Sequence, residues 1–188
     1  LAGVATFVVA VPTPIDANRQ PDLSYLLRAS EVVGAALGLG PCGVWIALRG
    51  ALAWPAVLLG AAVAFWTAGF DILYSLQDLE HDRRAGLHSV PARFGVARAL
   101  WFARGNHVAT VGLLASIYVL GRTGVGAPGL LTPGWGYLAG GIVLASLLAY
   151  EHCLVRPGDL GRVNRAFFGV NVTAGLLFGA LAITDVLV

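Results

Sequence analysis

Residues 71–89 read DILYSLQDLEHDRRAGLHS and place several acids and arginines at the end of a long apolar run. Asp71, Asp78 and Asp82 are separated by seven and then by four residues. On an α-helix each residue turns by about 100°, so these offsets bring the three carboxylates to nearly one azimuth, with Tyr74 beside them. Stacked carboxylates at the edge of an apolar segment repel one another and resist burial. This stripe is therefore typical of a site that binds a cation.

The composition is that of a membrane protein. Of the 188 residues, 57% are hydrophobic and only 12% are charged. A soluble domain carries about 25% charged residues, so this chain has too few to cover a water-facing surface. The formal net charge is +2 and no basic stripe is interleaved with aromatic residues, which gives no indication of nucleic-acid binding.

Hydrophobic segments follow one another along the whole chain. Six can be read, at about residues 1–11, 31–48, 52–74, 106–120, 136–154 and 167–188. About 20 apolar residues are needed to cross a bilayer as a helix, so the first segment is too short to span alone. The polar stretch 78–104 is expected to be a loop. We predict an all-α, polytopic transmembrane bundle formed by a single domain.

The arginines, which are the only basic residues besides histidine, predict the orientation in the membrane. Ten of the twelve lie in the alternate loops 12–30, 78–104 and 155–166, and the intervening loops hold only Arg49 and Arg122. Cytoplasmic loops of membrane proteins are enriched in basic residues. The acidic stretch is therefore expected on the cytoplasmic side of the membrane.

The acidic stripe and the arginines after it indicate a bound diphosphate. Carboxylate oxygens suit a hard cation, here most simply Mg²⁺, which often bridges to substrate phosphates. Arg83, Arg84 and Arg93 follow, and a guanidinium group matches phosphate oxygens in shape and charge. A lipid with a diphosphate head is the ligand that this combination favours. Two alternatives are acids that simply face cytosolic water and a cation-coupled transporter.

The motif resembles a known family of membrane enzymes. FWTAGFDILYSLQDLEHDRRAGLHSVPARFG, residues 65–95, is similar to the second aspartate-rich motif of the UbiA-type intramembrane prenyltransferases. LGLGPCGVWIALRG (37–50) and DLGRVNRAFFGVNV (159–172) also resemble family segments. The resemblance covers most of residues 25–188. It is closest to the 4-hydroxybenzoate polyprenyltransferase-like branch of quinone synthesis, which includes members of the futalosine route to menaquinone.

The resemblance implies a fold, a reaction and a set of site residues. The family fold is a bundle of about nine transmembrane helices, in which two aspartate-rich motifs face each other across a cavity and bind diphosphate through Mg²⁺. Asp71, Asp78 and Asp82 would be the metal-binding acids of the second motif, and Tyr74 would adjoin them. The implied diphosphate- and substrate-binding residues are Arg28, Arg83, Arg84, Ser89, Arg93, Asn164 and Asn171. The implied substrates are a polyprenyl diphosphate and an aromatic acceptor.

The chain departs from the family in one respect. The first motif, of the form N-D-x-x-D-x-x-x-D, is absent, and the nearest string, DANRQPD at 16–22, does not fit it. The chain also begins in an apolar segment without Met. It is therefore expected to lack the N-terminal third of the protein. A non-catalytic remnant and a transporter with an intramembrane cation site stay as alternatives, whereas the D-G-x-x-A-R string of CDP-alcohol phosphotransferases is missing.

Several residues within the apolar segments have other expected roles. Glycines at four-residue spacing are expected to allow close helix packing; they are Gly34 with Gly38, Gly136 with Gly140, and Gly175 with Gly179. Asn171 is expected either to form hydrogen bonds between helices or to contact substrate. For Glu151 and Asp185, two acids in or beside apolar segments, the sequence indicates no role.

Overall fold

The computed structural model of the protein describes residues 24–124, 132–155, 163 and 169–187. All regular elements within these ranges are helices, which confirms the all-α prediction. They are α1 (Ser24–Arg49), α2 (Trp54–Tyr74), α3 (Leu79–Ala85), α4 (Val90–Phe94), α5 (Val96–Thr123), α6 (Trp135–Leu154) and α7 (Asn171–Leu187). The first predicted segment, at residues 1–11, lies outside the described residues.

Two helices in the described part of the chain are long and apolar enough to cross a membrane. They are α2, with 21 residues, and α6, with 20 residues. Their bounds agree with the segments predicted at 52–74 and 136–154. Shorter apolar helices are formed by α7 and by Ala36–Arg49 of α1.

Helix α2 lies between α1 and α5, and α6 packs against both α5 and α7. Small residues allow these close approaches. A Cβ atom at Gly60 of α2 would collide with the carbonyl oxygen of Gly38 in α1, and Gly140 of α6 packs against Phe178 of α7. Gly38 and Gly140 therefore play the packing role that their spacing predicts, whereas no atom lies near the corresponding position of Gly179.

The stretch 78–104 is not the loop that its polarity predicted. It forms α3, α4 and the first turns of α5, which begins ten residues before the expected start at 106. Ala99, Leu100 and Ala103 are at most 2% exposed and form one face of α5. They pack against the end of α2 around Leu73. Arg98 and Arg104 flank these positions and lower the mean hydropathy without interrupting the buried face.

Asp185 of α7 closes the N-terminus of α6. The backbone N–H of Gly134 donates to one oxygen of its carboxylate at 2.6 Å, and that of Gly136 donates to the other at 2.7 Å. Helix α6 has no side-chain cap of its own. The first amides of a helix lack partners within the helix, so an acceptor from another helix stabilises its N-terminus. Asp185 therefore has a structural role, which the sequence did not reveal.

We expect Asp185→Ala to lower the melting temperature of the protein, because two backbone N–H groups at the start of α6 lose their acceptor. Thermal unfolding of the purified protein in detergent would measure the loss. Thr184→Ala is the matched control, since the Thr184 hydroxyl donates only to carbonyls of its own helix. Equal melting temperatures for the two variants would contradict the capping role.

Candidate functional site

The acidic segment begins where α2 ends. The N–H of Ser75 still donates to the carbonyl of Asp71, at 2.9 Å, but the next amides donate to carbonyls only three residues back. The bond from Leu76 to Leu73 is 3.3 Å long, for example. Residues 75–78 thus form tight turns before α3 starts. The expectation of one uninterrupted helix through all three acids is wrong.

A row of leucines explains the change of helical period. Leu73, Leu76 and Leu79 are spaced by three residues and are at most 8% exposed. A period of three matches a tightened turn with 3.0 residues per turn, so the tightening keeps all three leucines on the buried side. Asp82 continues the same spacing and is also buried, at 7% exposure. It lies on the leucine side of the segment.

Asp71 and Asp78 are instead exposed, as is Tyr74 at the end of α2. Within the ranges that the structure describes, no three Asp, Glu, His or Cys side chains converge as a metal site requires. Oxygen donors at an exposed helix end fit the chemistry of Mg²⁺, which keeps several waters and is often bound by one or two carboxylates. The described acids therefore fit part of a metal–diphosphate site. Their ligand role stays a prediction.

The arginines after the acids lie on the exposed side of the segment. Arg83 and Arg84 occupy the last turn of α3, which ends at Gly86 in the left-handed conformation, with φ of 67°. Arg83 is 3.9 Å from Glu80, an exposed ion pair that stabilises the fold little. The guanidinium group of Arg93 lies over the Phe94 ring, 5.3 Å from its centroid.

Ser89 has a local structural role at the start of α4. Its hydroxyl accepts a hydrogen bond from the N–H of Ala92 at 3.4 Å and caps that helix. The predicted Arg28 falls on α1, but its side chain lies outside the described residues, and so does all of Asn164. The expected roles of both residues at the acidic segment therefore stay predictions.

A second polar group lies inside the bundle and joins four helices. We call it the interhelical polar cluster; its members are Trp66 of α2, His107 of α5, Glu151 and His152 of α6, and Asn171 of α7. The indole N–H of Trp66 donates to Oδ1 of Asn171 at 2.9 Å. Nδ2 of Asn171 donates in turn to Oε1 of Glu151 at 2.7 Å. Glu151 is fully buried.

Two histidines extend the interhelical polar cluster. Nδ1 of His107 is 3.0 Å from Nε2 of His152 and 3.7 Å from Oε2 of Glu151. His107 is 3% exposed, and its ring fills the space beside Gly69, where a Cβ atom would overlap it. One signal for this cluster was present in the sequence, namely Glu151, an acid within an apolar segment. It could not show that two single histidines, 45 residues apart, meet there.

Asn171 belongs to this cluster rather than to the exposed face of the acidic segment. It is 8% exposed and bridges Trp66 and Glu151. The expected hydrogen bonds between helices are therefore present. Contact with substrate stays a prediction for Asn171.

The apolar spanning helices, with a charged segment at the end of α2, are those of an integral membrane protein. A family profile described as the UbiA prenyltransferase family matches residues 25–179. The chain belongs to this family, as the resemblance of the acidic motif predicted. No solved structure matches the chain significantly.

Curated relatives point to one branch of the family. The chain is 31% identical to a 4-hydroxybenzoate octaprenyltransferase of Aromatoleum aromaticum, over 85% of this chain and 50% of the relative. It is 30% identical to the protein of the same name in Xanthomonas euvesicatoria, over 95% of this chain and 56% of the relative. A 4-hydroxybenzoate solanesyltransferase of Synechocystis is 39% identical over 34% of this chain and 22% of the relative. The chain spans about half the length of the first two.

We expect Glu151→Ala to lower the free energy of unfolding by about 1–3 kcal/mol, because the buried amide of Asn171 loses its acceptor. Glu151→Gln keeps a carbonyl oxygen at Oε1 and should cost much less. Thermal unfolding of both variants in detergent would compare them. Equal losses for Gln and Ala would show that the hydrogen bond to Asn171 does not stabilise the bundle.

Proposed function

We propose that this chain forms part of an enzyme that transfers a polyprenyl group from a polyprenyl diphosphate to an aromatic acceptor in quinone synthesis. The main support is the acidic segment, where exposed Asp71 and Asp78 are followed by exposed Arg83 and Arg84 at a membrane-helix end. Relatives named for transfer to 4-hydroxybenzoate make a phenolic acid the first acceptor to test. A menaquinone precursor is the second.

The acids and the arginines would bind the diphosphate from two sides. Asp71, Asp78 and Asp82 would hold Mg²⁺, directly or through water, and Mg²⁺ would neutralise charge on the diphosphate oxygens. Arg83 and Arg84 would donate hydrogen bonds to the same oxygens. Fixed positive charge favours departure of diphosphate because negative charge grows on its oxygens as the allylic C–O bond breaks.

Bond formation completes the transfer. The electron-rich ring of the acceptor attacks the allylic carbon, a C–C bond forms, and the ring carbon then loses its proton to regain aromaticity. Diphosphate leaves with the electron pair of the broken C–O bond. Phe70 and Tyr74, on the last turn of α2, are the aromatic side chains of the described residues best placed along the chain to shield the cation.

The prenyl tail would lie among the apolar helices. The described helices expose many large apolar side chains, such as Phe65 of α2 and Leu176 of α7. In a bilayer these surfaces contact acyl chains or a bound isoprenoid at little cost. A diphosphate at the helix end and a tail along the helices would match the amphiphilic shape of a polyprenyl diphosphate.

The arginine distribution supports a cytoplasmic site in the inner membrane of a bacterium. In a background without Cys42 and Cys153, we expect Thr123→Cys at the end of α5 to react with a membrane-impermeant maleimide on intact cells. Ala85→Cys in α3 should react only after the membrane is opened. Both positions are exposed in the structure. The opposite labelling pattern would contradict the orientation.

We expect Asp71→Ala, Asp78→Ala and Asp82→Ala each to lower prenyl transfer at least about 100-fold, by analogy with the loss of other groups that stabilise developing charge. Membranes carrying the full-length gene product, with labelled prenyl diphosphate and 4-hydroxybenzoate, would provide the assay. Chelation of divalent metal should stop transfer, and added Mg²⁺ should restore it.

Glu80→Ala is the matched control for these variants. Glu80 is an exposed acid of the same segment, and it pairs with Arg83. It should keep near-normal transfer. Unchanged transfer in Asp78→Ala and Asp82→Ala would exclude the proposed metal site, and no transfer by the unaltered protein to either acceptor would favour a remnant or a transporter.

A further inference from the structure

The interhelical polar cluster lies directly behind the turn that carries Asp71. Gly69, which faces His107, precedes Asp71 by two residues, or about 3 Å along the helix axis. Two residues also turn the helix by about 200°, so Gly69 and Asp71 are on opposite sides of α2. Their exposure agrees with this, since Gly69 is buried and Asp71 is exposed. The imidazole of His107 thus supports the back of the acid-bearing turn.

The contact between Gly69 and His107 fixes how closely α2 and α5 approach at this level. The ring occupies the volume that any side chain at position 69 would need. About 10 Å further along α2, seven residues away, the hydroxyl of Thr110 donates to the carbonyl of Ala62 at 3.3 Å. The same pair of helices therefore has one steric contact behind Asp71 and one hydrogen bond remote from it.

The other cluster members restrict the rotation of the His107 ring. His152 lies 3.0 Å from Nδ1 of His107, and Glu151 lies 3.7 Å from it. Asn171 donates a hydrogen bond to the Glu151 carboxyl group and accepts one in turn from the indole N–H of Trp66. In an apolar interior a displaced imidazole finds few other polar partners, so its orientation is strongly determined.

We propose that His107 is a positioning residue for the metal–diphosphate site. It sets the distance and the rotation of the α2 turn that carries Asp71, while His152 and Glu151 keep its ring in place. The proposal rests on the proposed function of the acidic segment. It assigns His107 no contact with substrate or metal.

Steric exchange between positions 69 and 107 provides the test. Gly69→Ala adds a methyl group where the ring lies, and His107→Ala removes the ring, so each variant should shift the turn. The double variant places the new methyl group in the vacated space and should be less impaired than the sum of the single variants. Gly69→Ala keeps every polar group of the cluster. It therefore keeps the test valid even if His107→Ala does not fold. Thr110→Val is the matched control at the same helix interface.

The measurement is equilibrium binding of Mg²⁺ with inorganic diphosphate to the purified full-length protein, with thermal unfolding recorded in parallel. Each single variant at 69 or 107 should weaken binding about tenfold, the size typical for loss of a group that orients metal ligands. Thr110→Val should bind within about twofold of the unaltered protein, even if it melts earlier.

The outcomes separate this proposal from the proposed function. Normal affinity in Gly69→Ala and His107→Ala would overturn the positioning role and leave the proposed function intact. Equal weakening in Thr110→Val would also overturn it, because the effect would then follow general stability. Absence of Mg²⁺–diphosphate binding by the unaltered protein would overturn both.

Discussion

A bilayer interior offers polar groups no partner other than the protein itself, and the described structure follows from that constraint. Asp185 accepts the first amides of α6, and Asn171 connects Trp66 with Glu151 across three helices. Each bond joins residues that are at least 20 positions apart in the sequence. Apolar packing is not selective between protein and lipid, so these bonds, together with the glycine contacts, determine which helices are neighbours.

The same constraint separates the two polar groups of the molecule. The acidic segment lies at a helix end, where Asp71 and Asp78 are exposed and charge can be hydrated. The interhelical polar cluster lies inside, where Glu151 and His107 are buried, with Oε2 of the acid 3.7 Å from Nδ1 of the imidazole. Helix α2 connects them because one of its faces carries Asp71 and the opposite face carries Gly69. The exposed acidic segment and the buried interhelical polar cluster are thus linked through a single helix.

The 3.6-residue period of an α-helix describes the segment up to Tyr74, but it does not describe the residues that follow. The expected stripe of three acids assumed 3.6 residues per turn throughout. The burial of Leu73, Leu76 and Leu79 favours a tighter turn, which moves Asp82 to the leucine side. The three-residue spacing of the leucines was present in the sequence. The sequence did not show that Ala99, Leu100 and Ala103 of α5 supply the surface against which Leu73 and Leu76 are buried.

The sequence by itself determined the membrane class, the helical fold, the main spans and the family, because low charge, segment length and a specific acidic motif are local properties. Tertiary structure alone decided where the acids point and what Glu151, His107 and Asp185 do. Those roles depend on partners more than 20 residues away in most cases, such as His152 for His107 and Gly134 for Asp185. A pattern within one segment carries no information about which distant polar group will meet it.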